Sequence, residues 1–225
     1  MGKNQANLGF MEKKGDPMDV SIFMADGLEE CEALLVVDLM RRAGIAIQTV
    51  AVHQPDWEGR EEDRKRIRSC HDIEITCDTT IKDYEPGAEV ALIIPGGLPG
   101  VDYLKANEKL RAILMDFHEK KVKKDEGWIG AICAGPTLLA DLGILDGKAA
   151  TVYPGRKDDL GDKINYVNQD VVMAPGIITG KALGLAIPFA LVLISTLKGE
   201  ETANRVAEEI YYSSWSQAQR KTSGQ

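Results

Sequence analysis

Apolar and polar positions change their spacing several times along this chain, and the changes lay out its elements. Positions 20–24 and 46–52 are short apolar runs with β-branched residues, as buried strands are. Between them, positions 29–43 carry apolar residues at helical spacing and stop at Gly44, which predicts a helix and, with its flanking strands, a βαβ unit. The alternation continues with a strand over 90–94 that ends in Pro95-Gly96-Gly97, a helix over 108–121 and a buried strand over 128–132. Further on, the pattern predicts a short helix to about Leu142, a strand near 149–152, a strand-turn-strand through 171–179 and an apolar helix over 185–197. Repeated β/α alternation of this kind implies an α/β fold, a mostly parallel sheet with helices on both faces and function at the carboxyl ends of the strands.

Composition narrows the picture. With 225 residues and 44% hydrophobic content the chain can bury one substantial core. It is expected to form a single domain over 18–213, flanked by polar tails at 1–17 and 214–225. Segment 57–69 is dense in both charge signs and reads as a solvated loop or helix extension. A net charge of −8 argues against nucleic acid or an anionic membrane as the main partner. No apolar run approaches the roughly 18 to 20 residues of a membrane span, and positions 1–19 have no signal-peptide core. Four cysteines, Cys31, Cys70, Cys77 and Cys133, then read as free thiols in a reducing compartment, with the cytoplasm as the expected location.

The candidate chemistry centres on Gly130-Ala131-Ile132-Cys133-Ala134-Gly135-Pro136, which closes an apolar run, turns and opens a helix. Small neighbours at Ala131 and Gly135 allow a tight nucleophile elbow that presents Cys133. A helix N-terminus favours negative charge there and predicts a thiol pKa well below the ordinary value of about 8.5. The competing reading is a small buried hydrophobe.

A cysteine nucleophile needs a proton partner, and the three histidines, His53, His71 and His118, all precede Cys133 in the chain. His118, in a charged helical stretch, reads as a solvated helix residue. The carboxylates of Asp26-Gly27-Leu28-Glu29-Glu30-Cys31-Glu32 offer an alternative. Glu29 and Glu30 read as acids that complement the helix N-terminus. Glu32 shares the apolar stripe with Leu28, Leu35 and Val36, so a desolvated carboxyl that holds its proton and a helix-capping acid both stay open for it. Paired glycines at Gly96 and Gly97 let a backbone N–H approach a bound group, and with the Ala134 N–H could form an oxyanion hole.

Taken in order, Asp26 to Glu32, Met40-Arg41-Arg42-Ala43-Gly44, Pro95-Gly96-Gly97 and Ala131-Ile132-Cys133-Ala134-Gly135-Pro136 resemble the ThiJ/PfpI family, in the branch of the parkinsonism-associated protein deglycase and its bacterial relatives. The resemblance runs from about Val20 to Leu197. It implies a flavodoxin-like three-layer sandwich, a homodimer, a low-pKa cysteine at Cys133, a protonated glutamate at Glu32 and backbone donors at Gly97 and Ala134. Cys70 and Cys77 match two non-catalytic family cysteines, with a buried or interface role. Where the human branch has histidine before a proline, this chain has Tyr153-Pro154, and a phenol is no base at neutral pH. A second family loop reads Gly180-Lys181-Ala182-Leu183-Gly184.

The resulting expectation is a cysteine-dependent glyoxalase- or deglycase-like enzyme that acts on small 2-oxoaldehydes or their adducts, with no cofactor and no metal. The alternative is an oxidative-stress sensor or chaperone read through oxidation of Cys133. An intracellular cysteine peptidase ranks below both. A glutamine amidotransferase is disfavoured because no histidine follows the elbow, and no phosphate-binding motif supports thiazole biosynthesis.

Overall fold

A computed structural model describes residues 19–54 and 57–213. The tails expected at 1–17 and 214–225 lie outside the described residues. The first βαβ unit is β1 (Val20–Met24), α1 (Glu30–Arg42) and β2 (Ile47–Ala51). A hairpin of β3 (Arg66–Arg68) and β4 (Glu74–Thr76) follows, then the two-residue β5 (Thr79–Thr80). Next come β6 (Ala91–Ile94), α2 (Gly100–Ala106), α3 (Glu108–Lys120), β7 (Trp128–Ile132) and α4 (Pro136–Asp141). The chain continues through β8 (Ala149–Ala150), β9 (Asn165–Tyr166), β10 (Val171–Ala174), β11 (Ile177–Gly180), α5 (Ala186–Lys198) and α6 (Glu200–Glu209).

Seven strands form the main sheet in the order β10-β11-β7-β6-β1-β2-β5. All pairs in it are parallel except β10 with β11. From β1 the chain builds outward to β2 and then crosses back to β6, so the strand order reverses between β1 and β6. Crevices at such a reversal are where open α/β sheets bind ligands.

The sheet separates two apolar cores, which is why its strands read as nearly continuous apolar runs. Along β1, Val20, Ile22 and Met24 face a core with α1, α5 and α6, while Phe23 faces the other, shared with α3 and α4. Gly44 ends α1 at φ +71, with its N–H and that of Ile45 bonded to Arg41 O and Met40 O, a Schellman closure that glycine permits.

Two sequence expectations change. The charged 57–69 segment is not only loop, because Ile67 of β3 is 1% exposed and pins the hairpin into the core while its arginines stay in solvent. His118 is buried rather than solvated. It closes the inward stripe of Leu110, Ile113, Leu114 and Phe117 on α3, at a spacing that outweighs its charged neighbours. Burial, followed by Lys148 and Lys123, lowers its pKa. Among the described residues no helix is long and apolar enough to cross a membrane.

Candidate active site

Three strand ends converge at the reversal. β1 leads through Asp26 to α1 and Glu32, β6 ends at Pro95-Gly96-Gly97, and β7 ends at Cys133. Cys133 sits at φ +60, outside the range most side chains adopt. Its N–H donates to Gly180 O at 2.9 Å, its carbonyl accepts from Tyr153 N–H at 2.9 Å, and Gly135 N–H donates to Ile132 O at 2.8 Å. Gly135 cannot be larger, because a Cβ there would stand 2.6 Å from Ile94 O and 2.9 Å from Ile132 O. Strain held by such a network is common where a side chain must be aimed.

Glu32 is fully buried, and its Oε2 accepts the Gly96 N–H at 3.0 Å. Its Oε1 is buried with no hydrogen-bond partner among the described residues. Burial raises its pKa to about 7, against the opposing pull of Cys133 and the Gly96 amide. Gly96 is what lets the two groups meet. A Cβ on it would lie 2.4 Å from Glu32 Oε2, 2.6 Å from Cys133 Cβ and 3.1 Å from Cys133 Sγ, so carboxyl and thiol flank one bare Cα.

The expectation of a thiol well below its ordinary pKa is not met. Burial pushes Cys133 up, and the charge and hydrogen bonding of the Glu32 carboxylate push in the same direction. The Ala134 and Gly97 amides act the other way, as donors to sulfur, so the backbone pair expected for negative charge is assembled. What sequence reasoning lacked was the burial of the thiol and the proximity of the anion. The thiol can ionise without opposition from that charge only while Glu32 keeps its proton.

Cys133, Glu32, Gly97 and Ala134 thus come together. Tyr153 joins them through its backbone, while the residue as a whole is 48% exposed. The 180–184 loop is tied to the elbow through Gly180 O. In the sequence Gly96 stands out only as half of a glycine pair, although that pair is itself the signal of a close approach.

The other cysteines differ. Cys77 is buried beside Met24, Cys70 is exposed, and burial raises their thiols to about 12 and about 11, helped at Cys70 by Glu29 and Glu30. Glu30 is not a solvated capping acid. It is 6% exposed and bonded to His71 Nδ1 at 2.9 Å. Glu29, Glu30, Cys70 and His71 form a group among the described residues whose donor atoms converge closely enough for a metal ion.

Comparison with known proteins agrees with this architecture. The chain is 33% identical over 188 residues to the Parkinson disease protein 7 homolog of Danio rerio, covering 82% of this chain and 92% of that protein. It is 29% identical over 197 residues to the glutathione-independent glyoxalase DJ-1 of Schizosaccharomyces pombe, covering 85% and 97%. The solved structure of oxidised Toxoplasma gondii DJ-1 superposes with a TM-score of 0.77 at 29% identity, covering 88% of this chain and all of that one. A cysteine elbow facing a buried glutamate at the strand-order reversal accords with the match of residues 18–196 to the model of the DJ-1/PfpI family, and the chain belongs to that family.

Proposed function

We propose that the protein is a cysteine-dependent, glyoxalase- or deglycase-like enzyme that acts on small 2-oxoaldehydes or their adducts. The observation that carries the reading is the Cys133 thiol set against a buried Glu32 whose pKa is raised to about 7, across a glycine whose missing side chain lets the two groups flank its Cα. Relatives from Schizosaccharomyces pombe and Caenorhabditis elegans named glutathione-independent glyoxalases support it.

In the proposed reaction, the Cys133 S–H bond breaks with its proton passing to solvent, sulfur attacks the aldehyde carbon, the carbonyl π electrons move to oxygen, and the Gly97 and Ala134 N–H groups face the charge that develops there. Glu32 supplies the proton that completes a hemithioacetal. It then accepts the proton from the former aldehyde carbon while the neighbouring ketone oxygen gains one, which gives an enediol; protonation of the adjoining carbon and loss of the proton on the former aldehyde oxygen then leave a 2-hydroxy thioester. Water cleaves the thioester, releasing the 2-hydroxy acid and restoring the thiol. The sum is one 2-oxoaldehyde and one water converted to one 2-hydroxy acid, with no external oxidant.

Lactate formation from methylglyoxal by the wild type and by Cys133→Ser, in preparations free of trace glyoxalases, tests the proposal. Loss of lactate in the variant supports it, and equal rates overturn it. A second reading, oxidation sensing through Cys133, draws support from the acid and amides around the sulfur and from the oxidised form of the Toxoplasma relative. Selective peroxide modification of Cys133 with no change in partner binding would leave the enzyme reading ahead. A peptidase is disfavoured because no imidazole acts on Cys133 to protonate a leaving amine. A cytoplasmic homodimer belongs to the same proposal, and sedimentation together with cell fractionation tests both parts.

A further inference from the structure

We propose that Glu29, Glu30, Cys70 and His71 form a binding site for a divalent transition metal, with zinc as the ion that fits these donors. The site is separate from the Cys133 thiol and does not depend on the aldehyde chemistry. One sulfur, one imidazole nitrogen and two carboxylates form a mixed donor set that zinc accepts and that the hard, oxygen-seeking cations do not.

The spacing lies close to that of a tetrahedral ion's ligands. Bonds of about 2.0–2.3 Å to N, O and S place neighbouring donors roughly 3.3–3.8 Å apart. Cys70 Sγ lies 3.3 Å from His71 Nδ1, 3.5 Å from Glu29 Oε2 and 4.0 Å from Glu30 Oε2. His71 Nδ1 lies 3.7 Å from Glu29 Oε2 and 2.9 Å from Glu30 Oε1. The two distances to Glu30 fall on either side of that range and involve its two different oxygens, so a small rotation of this carboxylate brings it to the ion, while the other three distances need no movement.

The donors are also held in place. The Glu29 and Glu30 side chains are 14% and 8% exposed, so neither is free to sweep through solvent. Both hang from the first turn of α1, where Glu29 N–H donates to Gly96 O at 3.0 Å. On the facing side, Cys70 N–H donates to Leu28 O at 2.9 Å, and a turn closed by Ser69 and by Asp72 at φ +65 presents Cys70 and His71 together. The His71 side chain, 61% exposed, leaves the open side through which an ion can enter.

Charge points the same way. Two carboxylates converge on one thiol, with a single exposed imidazole to relieve them. The positive end of the α1 dipole opposes a cation at this first turn, but it amounts to about half an elementary charge, against two carboxylates and a thiolate that act through direct bonds. On binding, the Cys70 S–H bond is replaced by a metal–sulfur bond and the proton passes to solvent, with no electron transferred.

The test uses the full chain, stripped with a chelator and titrated with cobalt(II) as a spectroscopic stand-in for zinc. One equivalent should bind with a sulfur-to-cobalt charge-transfer band that zinc then abolishes. Cys70→Ser should lose the band, and Cys133→Ser should keep it. Outer partners of metal ligands are worth about 10- to 100-fold in affinity, so His71→Gln and Glu30→Gln, which remove ligands, should each weaken binding by at least about tenfold. If Cys70→Ser fails to fold, His71→Gln, altered at an exposed ring, carries the test. No band in the wild type, a band that survives Cys70→Ser, or a band lost in Cys133→Ser would overturn the proposal.

Discussion

The sharpest test of the site geometry is one methyl group, Gly96→Ala. Gly96 is not among the glycines at positive φ, so alanine can adopt its backbone and the substitution adds only a Cβ. That carbon would arrive 2.4 Å from Glu32 Oε2 and 2.6 Å from Cys133 Cβ. Neither neighbour can give way easily, because Glu32 is fully buried on α1 and Cys133 is fixed by two backbone hydrogen bonds. Overpacking of this kind costs about 1–3 kcal/mol. In a domain of this size each kcal/mol moves Tm by about 2–4 °C, so a fall of roughly 2–12 °C is expected. Thermal melts measure the fall, and timed alkylation of the Cys133 peptide followed by mass spectrometry measures the displaced pair. Gly184→Ala, with nothing within 4 Å and no positive φ, is the control and should leave both readings alone. A Gly96→Ala protein with wild-type Tm and wild-type Cys133 labelling would refute the placement of thiol and carboxyl around Gly96.

Three further outcomes follow from the same arrangement. Glu32→Gln should lower 2-oxoaldehyde turnover by about 100- to 10,000-fold, the worth of a positioned acid–base group, yet should not slow Cys133 alkylation above pH 7, because the opposing carboxylate is gone; parallel lactate and labelling assays decide it. Since the folded state holds the Glu32 proton more tightly than the unfolded chain, this carboxyl stabilises the fold fully below its ordinary value of 4.5, and the contribution is lost as pH rises through about 7; Tm against pH should show that decline in the wild type and lack it in Glu32→Gln. Tyr153→His should raise turnover if proton transfer limits the rate, because it introduces an imidazole at the residue whose N–H already holds the elbow carbonyl; kcat against pH for both proteins measures it, and an unchanged profile would show that no base is lacking.

What could be read from the chain follows what each pattern encodes. β1, α1, β7 and α5 were legible because burial on both sheet faces and helical stripes leave long-range periodicity. The β3–β4 hairpin escaped because its strands are short and Ile67 is a single apolar residue among arginines. α6 escaped because only Ala203, Val206 and Ala207 of it are buried. Cys133 and Glu32 could be nominated locally, one from an elbow and one from a stripe. The raised Cys133 thiol could not, because it depends on burial by the folded chain and on an anion brought from 101 positions away in sequence. His71 and Glu30 are likewise 41 positions apart, and nothing local in either pointed to the other.

The dispersal of the site over three strand ends also bears on how the molecule is assembled. Glu32 belongs to the first βαβ unit, Gly96 follows β6 and Cys133 follows β7, so the thiol cannot meet its acid until β1, β6 and β7 have paired in register. Contacts of such long sequence separation form late, since the loop-closure entropy of the intervening chain must first be overcome. A chain halted after its first unit, or one in which β7 has not docked, would expose Cys133 as an ordinary thiol without Glu32 beside it. The chemical behaviour of that one sulfur is therefore a built-in clock of refolding: during renaturation, the moment at which it takes on its native labelling rate marks the closing of the central sheet.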